Sequence, residues 1–163
     1  MRAILETLSE AQTAELGRRL AAVLCPNDVI TLSGDLGAGK TAFVKGVTEG
    51  LGVEEPVVSP TFNILLVHLG RLTLFHVDLY RLDHAPQLED IDFFGTLESG
   101  GVTFVEWGER FPEALPPDHL ALVLEITGDD ERRMLVAPVG PRSESLAAAW
   151  VESCPSAAGG GAE

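Results

Sequence analysis

The eight residues Gly34-Asp35-Leu36-Gly37-Ala38-Gly39-Lys40-Thr41 constrain this chain more than any other stretch. Glycine, four residues, then Gly-Lys-Thr is the spacing that lets a loop close around a phosphate. The glycines accept backbone angles that side chains resist, so successive N–H groups can turn inward around an anion. The flanks agree. "DVITLSG" before the loop is a short, β-branched, apolar run that predicts a buried strand. "KTAFVKGVTEGLG" after it predicts a helix ending at 50–52, with Gly46 as its weak position. The start of that helix adds partial positive charge at the loop. In this setting Lys40 is expected to bridge β- and γ-phosphate oxygens, and the Thr41 hydroxyl to ligate Mg2+.

The remaining elements suit an α/β layer. Residues 9–24 carry apolar side chains at helical spacing, with Ser9 as the N-cap and Cys25-Pro26-Asn27-Asp28 as the stop. "TFNILLVHL" and "RLTLFHVDLY" read as two strands joined in an antiparallel hairpin at Gly70-Arg71. "APQLEDIDFFGTLESGG" reads as one short helix and a loop, and "GVTFVEWG" as a buried strand ending on an acid. "DHLALVLEITG" and "RRMLVAPV" form a last antiparallel pair joined at Gly128-Asp129-Asp130. From Gly140 the composition turns to Ala, Ser, Gly and Pro, which predicts one short helix over 143–151 and a disordered end. The expected architecture is a single-domain, P-loop NTPase-like α/β fold: a mixed β-sheet with flanking helices over 1–139, then a tail over 140–163.

Composition excludes several classes of function. With 25 acids against 11 bases, the formal charge is −14, so a basic stripe for nucleic-acid backbones is absent. An acidic surface favours solubility and a basic protein partner. No apolar run reaches the roughly 18 residues of a membrane span, and "MRAILETLSEAQ" lacks a signal-peptide core. The two cysteines, Cys25 and Cys154, have neither metal-ligand nor redox spacing. A cytoplasmic protein with no membrane attachment is expected.

A P-loop metal site also needs an acid at the end of a neighbouring strand. Asp78 closes "LTLFHVD" and Glu106 closes "VTFVE". Strand C-termini gather on one edge of an α/β sheet, where ligands bind, so both acids are placed there together with Lys40. One orients the metal and the other positions or polarises the attacking water; spacing leaves open which does which. "VVSPTFN" offers Ser59 and Thr61 where switch segments sense a γ-phosphate. Trp107 follows Glu106 directly, either covering a base or partner surface or packing in the core. The four histidines form no ligand pattern, and His76 reads as a packed strand residue.

"GDLGAGKT", "VSPTF", "HVDLYRL" and "VEWGER", in that order, resemble the bacterial TsaE family, formerly YjeE. The resemblance covers roughly residues 9–139. It implies a small ATPase, with ATP and Mg2+, that supports N6-threonylcarbamoyladenosine formation beside the anticodon of tRNAs reading codons that start with A. The implied partner is the TsaB–TsaD complex, with tRNA met only indirectly. It places Leu36, Gly37, Ala38, Gly39, Lys40 and Thr41 on the phosphates, Thr41, Asp78 and Glu106 at the metal and active site, and Thr61 in a switch-like block. Trp107 matches the aromatic beside the site. Ser9 and Thr13 would lie near the adenine, and a base at Arg132 or Arg133, here taken as Arg133, near the nucleotide. Ala42 stands where the family often has a second Thr. The absence of a guanine-reading Asn/Thr-Lys-x-Asp run favours ATP over GTP. Two other readings compete: a switch that signals by nucleotide binding alone, and a small-molecule kinase, which the acidic segment after Asp78 disfavours.

Overall fold

The structure, a computed structural model, describes residues 2–54 and 64–155. Its centre is the parallel quartet that β-branched, apolar runs build when both faces are covered. These strands are β2 (Val29–Ser33), β4 (Leu74–Asp78), β5 (Val102–Glu106) and β6 (His119–Ile126). Three antiparallel strands extend them: β1 (Ala3–Thr7), β3 (Leu65–His68) and β7 (Arg132–Val139). Among the described residues they form one seven-stranded mixed sheet in the order β1-β7-β6-β2-β5-β4-β3. The expected hairpin and the final antiparallel pair are both present, as β3–β4 and β6–β7. The β3–β4 turn is pinned to the helix layer, where Arg71 donates its N–H to the Leu51 carbonyl at 2.7 Å and a guanidinium N–H to the Ala21 carbonyl at 2.6 Å.

Among the described residues five α-helices flank the sheet: α1 (Glu10–Ala21), α2 (Lys40–Gly50), α3 (Gln87–Asp90), α4 (Phe93–Leu97) and α5 (Pro141–Ser153). Ser9 caps α1 as expected, accepting the Gln12 N–H at 3.2 Å while Gln12 reaches back to the Leu8 N–H at 2.7 Å. Helices α1 and α2 touch almost backbone to backbone. A β-carbon on Gly46 would overlap the Ala14 carbonyl, and one on Gly17 would overlap the Phe43 carbonyl. Gly46, a weak helix former by propensity, is thus what allows α2 to lie against α1.

The sheet has two different faces. Ile30, Leu32, Leu74, Val102 and Phe104 meet α1, α2 and α5; Val29, Val77 and Val105 meet Leu88, Phe93 and Phe111. Where one short helix was expected, α3 and α4 are separated by Asp92 in a left-handed conformation (φ 53°). The segment from Gly140, expected as a tail with one short helix, contains α5. Trp150 of α5 is fully buried against Phe43, with ring centroids 6.0 Å apart, and donates its indole N–H to the Leu16 carbonyl at 2.9 Å. Burial of such a ring is worth about 3 kcal/mol. The hydrophobic core accordingly includes Leu146, Ala147 and Trp150, beyond the 139 boundary. β1 was not anticipated: a five-residue strand with Ile4 exposed gives little periodic signal, and its pairing with β7 is long-range.

Candidate active site

The four parallel strands end on one edge of the sheet, and the glycine-rich loop springs from that edge. Gly37 and Gly39 take φ of 82° and 102°, and Gly39 in its left-handed conformation directly precedes α2. Among the described residues no side chain caps α2, so its first N–H groups are open to an anion from outside the helix. The loop forms one wall of a cavity of about 750 Å3 that is also lined by Thr13, Asp78, Tyr80, Glu106, Trp107 and Arg132.

Strand register assembles the polar centre. Asp78 lies directly opposite Glu106, and Leu32 of β2 lies opposite Glu106 on its other side. One row across three strands therefore carries both acids to the foot of the loop. Lys40 Nζ donates to the Gly34 carbonyl at 2.8 Å and sits 3.3 Å from Glu106 Oε1. The second Glu106 oxygen, Oε2, is 2.9 Å from His76 Nε2. Asp78 Oδ1 accepts the Tyr80 N–H at 3.0 Å. Burial alone would raise both carboxyl pKa values. For Glu106 the hydrogen bond and charge of His76, with Lys40, outweigh burial and hold the pKa below its ordinary value. For Asp78 burial prevails and the Glu106 charge adds to it, against the Tyr80 N–H, so its pKa is raised.

Trp107 is held with φ of 62°, a conformation most side chains avoid, which turns its half-exposed ring onto Tyr80 at a centroid distance of 4.9 Å. The opposite side of the cavity is formed by α1 and the β6–β7 turn. There Arg132 donates to the Gly37 carbonyl at 3.1 Å and to the carbonyls of Gly128, Asp129 and Glu131 at 2.8–3.1 Å, tying that turn to the loop.

The family model described as "Threonylcarbamoyl adenosine biosynthesis protein TsaE" matches residues 7–134. The chain belongs to the TsaE family. The tRNA threonylcarbamoyladenosine biosynthesis protein TsaE of Bacillus subtilis is 42% identical over 141 residues, 86% of this chain and 88% of its own. The protein of that name from Streptomyces coelicolor is 46% identical over 136 residues, 78% of this chain and 91% of its own. The crystal structure of Bacillus subtilis YdiB is similar with a TM-score of 0.79 and 35% identity, covering 93% of this chain and 95% of that one.

For this TsaE-family chain the structure brings Gly37, Gly39, Lys40, Thr41, Thr13, Asp78, Glu106 and Trp107 around one cavity, with Leu36 fully exposed at the loop tip and Ala38 buried beneath it. Two expected nucleotide neighbours are corrected. Ser9 is an N-cap whose side chain is engaged by Gln12, and it does not line the cavity. Arg133 points away, toward Glu6 and Glu125 at 3.7 Å each, because alternate strand residues face opposite sides; Arg132 is the base at the cavity. Ser59 and Thr61 lie outside the described residues. Tyr80 and the Glu106 partner His76 were missed as site residues, although each stands two positions from Asp78.

Proposed function

We propose that this chain binds ATP with Mg2+ in the loop-lined cavity and hydrolyses it in support of tRNA threonylcarbamoyladenosine biosynthesis, acting on the TsaB–TsaD complex in the cytoplasm. One observation carries the reading: strand register and the loop bring Lys40, Thr41, Asp78 and Glu106 to a single cavity. The donor set suits Mg2+, since the Thr41 hydroxyl and two carboxylates are hard oxygen ligands and adjacent carboxylates call for a divalent counter-charge. When bound, the metal would neutralise developing charge on the phosphates.

The chain's own residues do the rest. The loop N–H groups and Lys40 hold the β- and γ-phosphates, while Thr13 and Arg132 stand at the nucleoside side. Water adds to the γ-phosphorus as the bond to the β,γ-bridging oxygen breaks, giving ADP and phosphate, so catalysis is chiefly positioning and electrostatics. We assign Glu106, anchored through both oxygens, to the metal, and Asp78, bonded by one backbone N–H, to the water.

Among the described residues the cations lining the cavity are Lys40 and Arg132, and both already have partners: Gly34 and Glu106 for one, backbone carbonyls for the other. Hydrolysis by the chain alone is therefore slow, and the partner complex completes the charge around the γ-phosphate. ATP turnover measured with and without purified TsaB–TsaD tests this: stimulation of tenfold or more supports it, and equal rates refute it. A second reading, a switch that acts by binding alone, draws on the same shortage of cations. It requires Glu106→Ala to keep full tRNA modification after hydrolysis is lost.

A further inference from the structure

His76 does not line the cavity, yet it touches the carboxylate on which the site turns. It stands two residues before Asp78 on β4, so both side chains leave the sheet on the same face. The register sets His76 opposite Phe104 and Asp78 opposite Glu106, which makes His76 the diagonal neighbour of Glu106. The imidazole is only 2% exposed. Its Nε2 lies 2.9 Å from Glu106 Oε2, and its buried Nδ1 has no hydrogen-bond partner among the described residues. The polar capacity of the ring is thus directed at Glu106.

Glu106 has a second partner that a nucleotide competes for. Lys40 Nζ, 3.3 Å from Oε1, is also the ammonium that a phosphate in the loop requires. When Lys40 turns to the phosphate, Glu106 loses a cation while remaining largely buried. A buried carboxylate without a partner is costly and free to change rotamer. We propose that His76 is a positioning residue: it holds Glu106 at Oε2 while Lys40 exchanges Oε1 for the phosphates of the nucleotide. The proposal rests on the ATPase reading above and adds an order of events. The Lys40–Glu106 pair belongs to the nucleotide-free site, whereas the His76–Glu106 pair persists through binding and turnover.

Two variants of the full chain test it. His76→Phe removes the donor and keeps a ring; His76→Gln keeps an N–H near the position of Nε2. ADP binding in EDTA, measured by calorimetry, is expected to stay within about twofold of wild type in both, because the phosphate loop is untouched. Mg2+ binding to the ADP-loaded chain is expected to weaken about tenfold or more in His76→Phe and to recover to within about threefold in His76→Gln. Partner-stimulated kcat is expected to follow the same pattern, about ten- to a hundredfold down and then restored, with KM held within about threefold. In a Glu106→Gln background His76→Phe is expected to add nothing.

The proposal is overturned if His76→Phe changes Mg2+ affinity by less than twofold. It is equally overturned if His76→Gln folds with wild-type stability and fails to rescue, or if the loss is the same in the Glu106→Gln background. If His76→Phe does not fold, His76→Asn, too short to reach Oε2, takes its place under the same criteria. A wild-type chain that turns over no ATP with or without the partner complex defeats the ATPase reading alone; the Mg2+ titration still decides the role of His76.

Discussion

Two charged clusters occupy opposite ends of the same sheet, and only one of them is closed. At the end where β2 and β6 begin, Arg142 of α5 grips Asp28 through two hydrogen bonds of 2.9 and 2.8 Å, and Asp28 also accepts the Cys25 N–H at 2.8 Å. Asp118 beside it accepts the Arg142 and Ser143 backbone N–H groups and the Ser143 hydroxyl. Burial works to raise the Asp118 pKa, but these donors outweigh it and the pKa is lowered. At the end where β4 and β5 finish, Asp78 and Glu106 face each other with Lys40 and His76 both spent on Glu106. The Asp78 pKa rises. A cluster whose carboxylates are all held by several donors is a joint that fastens α5 to the sheet. An acid held by a single backbone N–H beside a cavity marks a candidate ligand site.

The contrast breaks first, and most visibly, at Lys40. Lys40→Ala is expected to cut ATP turnover at least about 100-fold, a barrier increase of roughly 3 kcal/mol, with the thermal midpoint little changed. Retained turnover would show that the open cluster is not the active site. Arg142→Ala should do the reverse. It strands the buried Asp28, so unfolding in urea is expected about 2 kcal/mol earlier, a figure tempered by the partly exposed Arg142 side chain. Nucleotide affinity per folded molecule should be unaltered, and a loss of affinity without a loss of stability would dissolve the distinction.

Asp78→Asn gives the smallest effect and the sharpest test of sign. The folded-state pKa of Asp78 is raised, so its ionised form costs stability at neutral pH, and that cost fades as pH falls and the group protonates. Removing the charge is expected to stabilise the nucleotide-free chain by roughly 0.5 kcal/mol at neutral pH, with the gain vanishing below the ordinary carboxylate range. Glu106→Gln should behave oppositely. Its lowered pKa means that the ionised form contributes stability above that range and loses it as pH falls through the folded value, so the variant is less stable at neutral pH. Thermal midpoints from acid to neutral pH for both variants check the pair.

Much of this was readable along the chain wherever neighbours in sequence are neighbours in space. The loop, its strand and its helix are contiguous, and Ser9 caps the helix that follows it. Asp78 and Glu106 announced themselves by closing apolar runs. Errors arose where one residue of offset reverses direction. Arg132 and Arg133 are adjacent in composition and opposite in space, and the strand register that separates them depends on pairing with β6 and β1. His76 looked like packing because its partner lies 30 residues away. The helix over 143–151 was expected, but its place in the core was not legible until Trp150 met Phe43.

What the amino-acid order determined unaided is the α/β class, the glycine-rich loop between strand and helix, and the two acids at strand ends, because spacing and periodicity act locally on the backbone. Tertiary structure alone decided which base faces the cavity, that a histidine shares the glutamate with the lysine, and that the last helix belongs to the core. Those outcomes depend on register and burial, and both come into being only when distant strands pair.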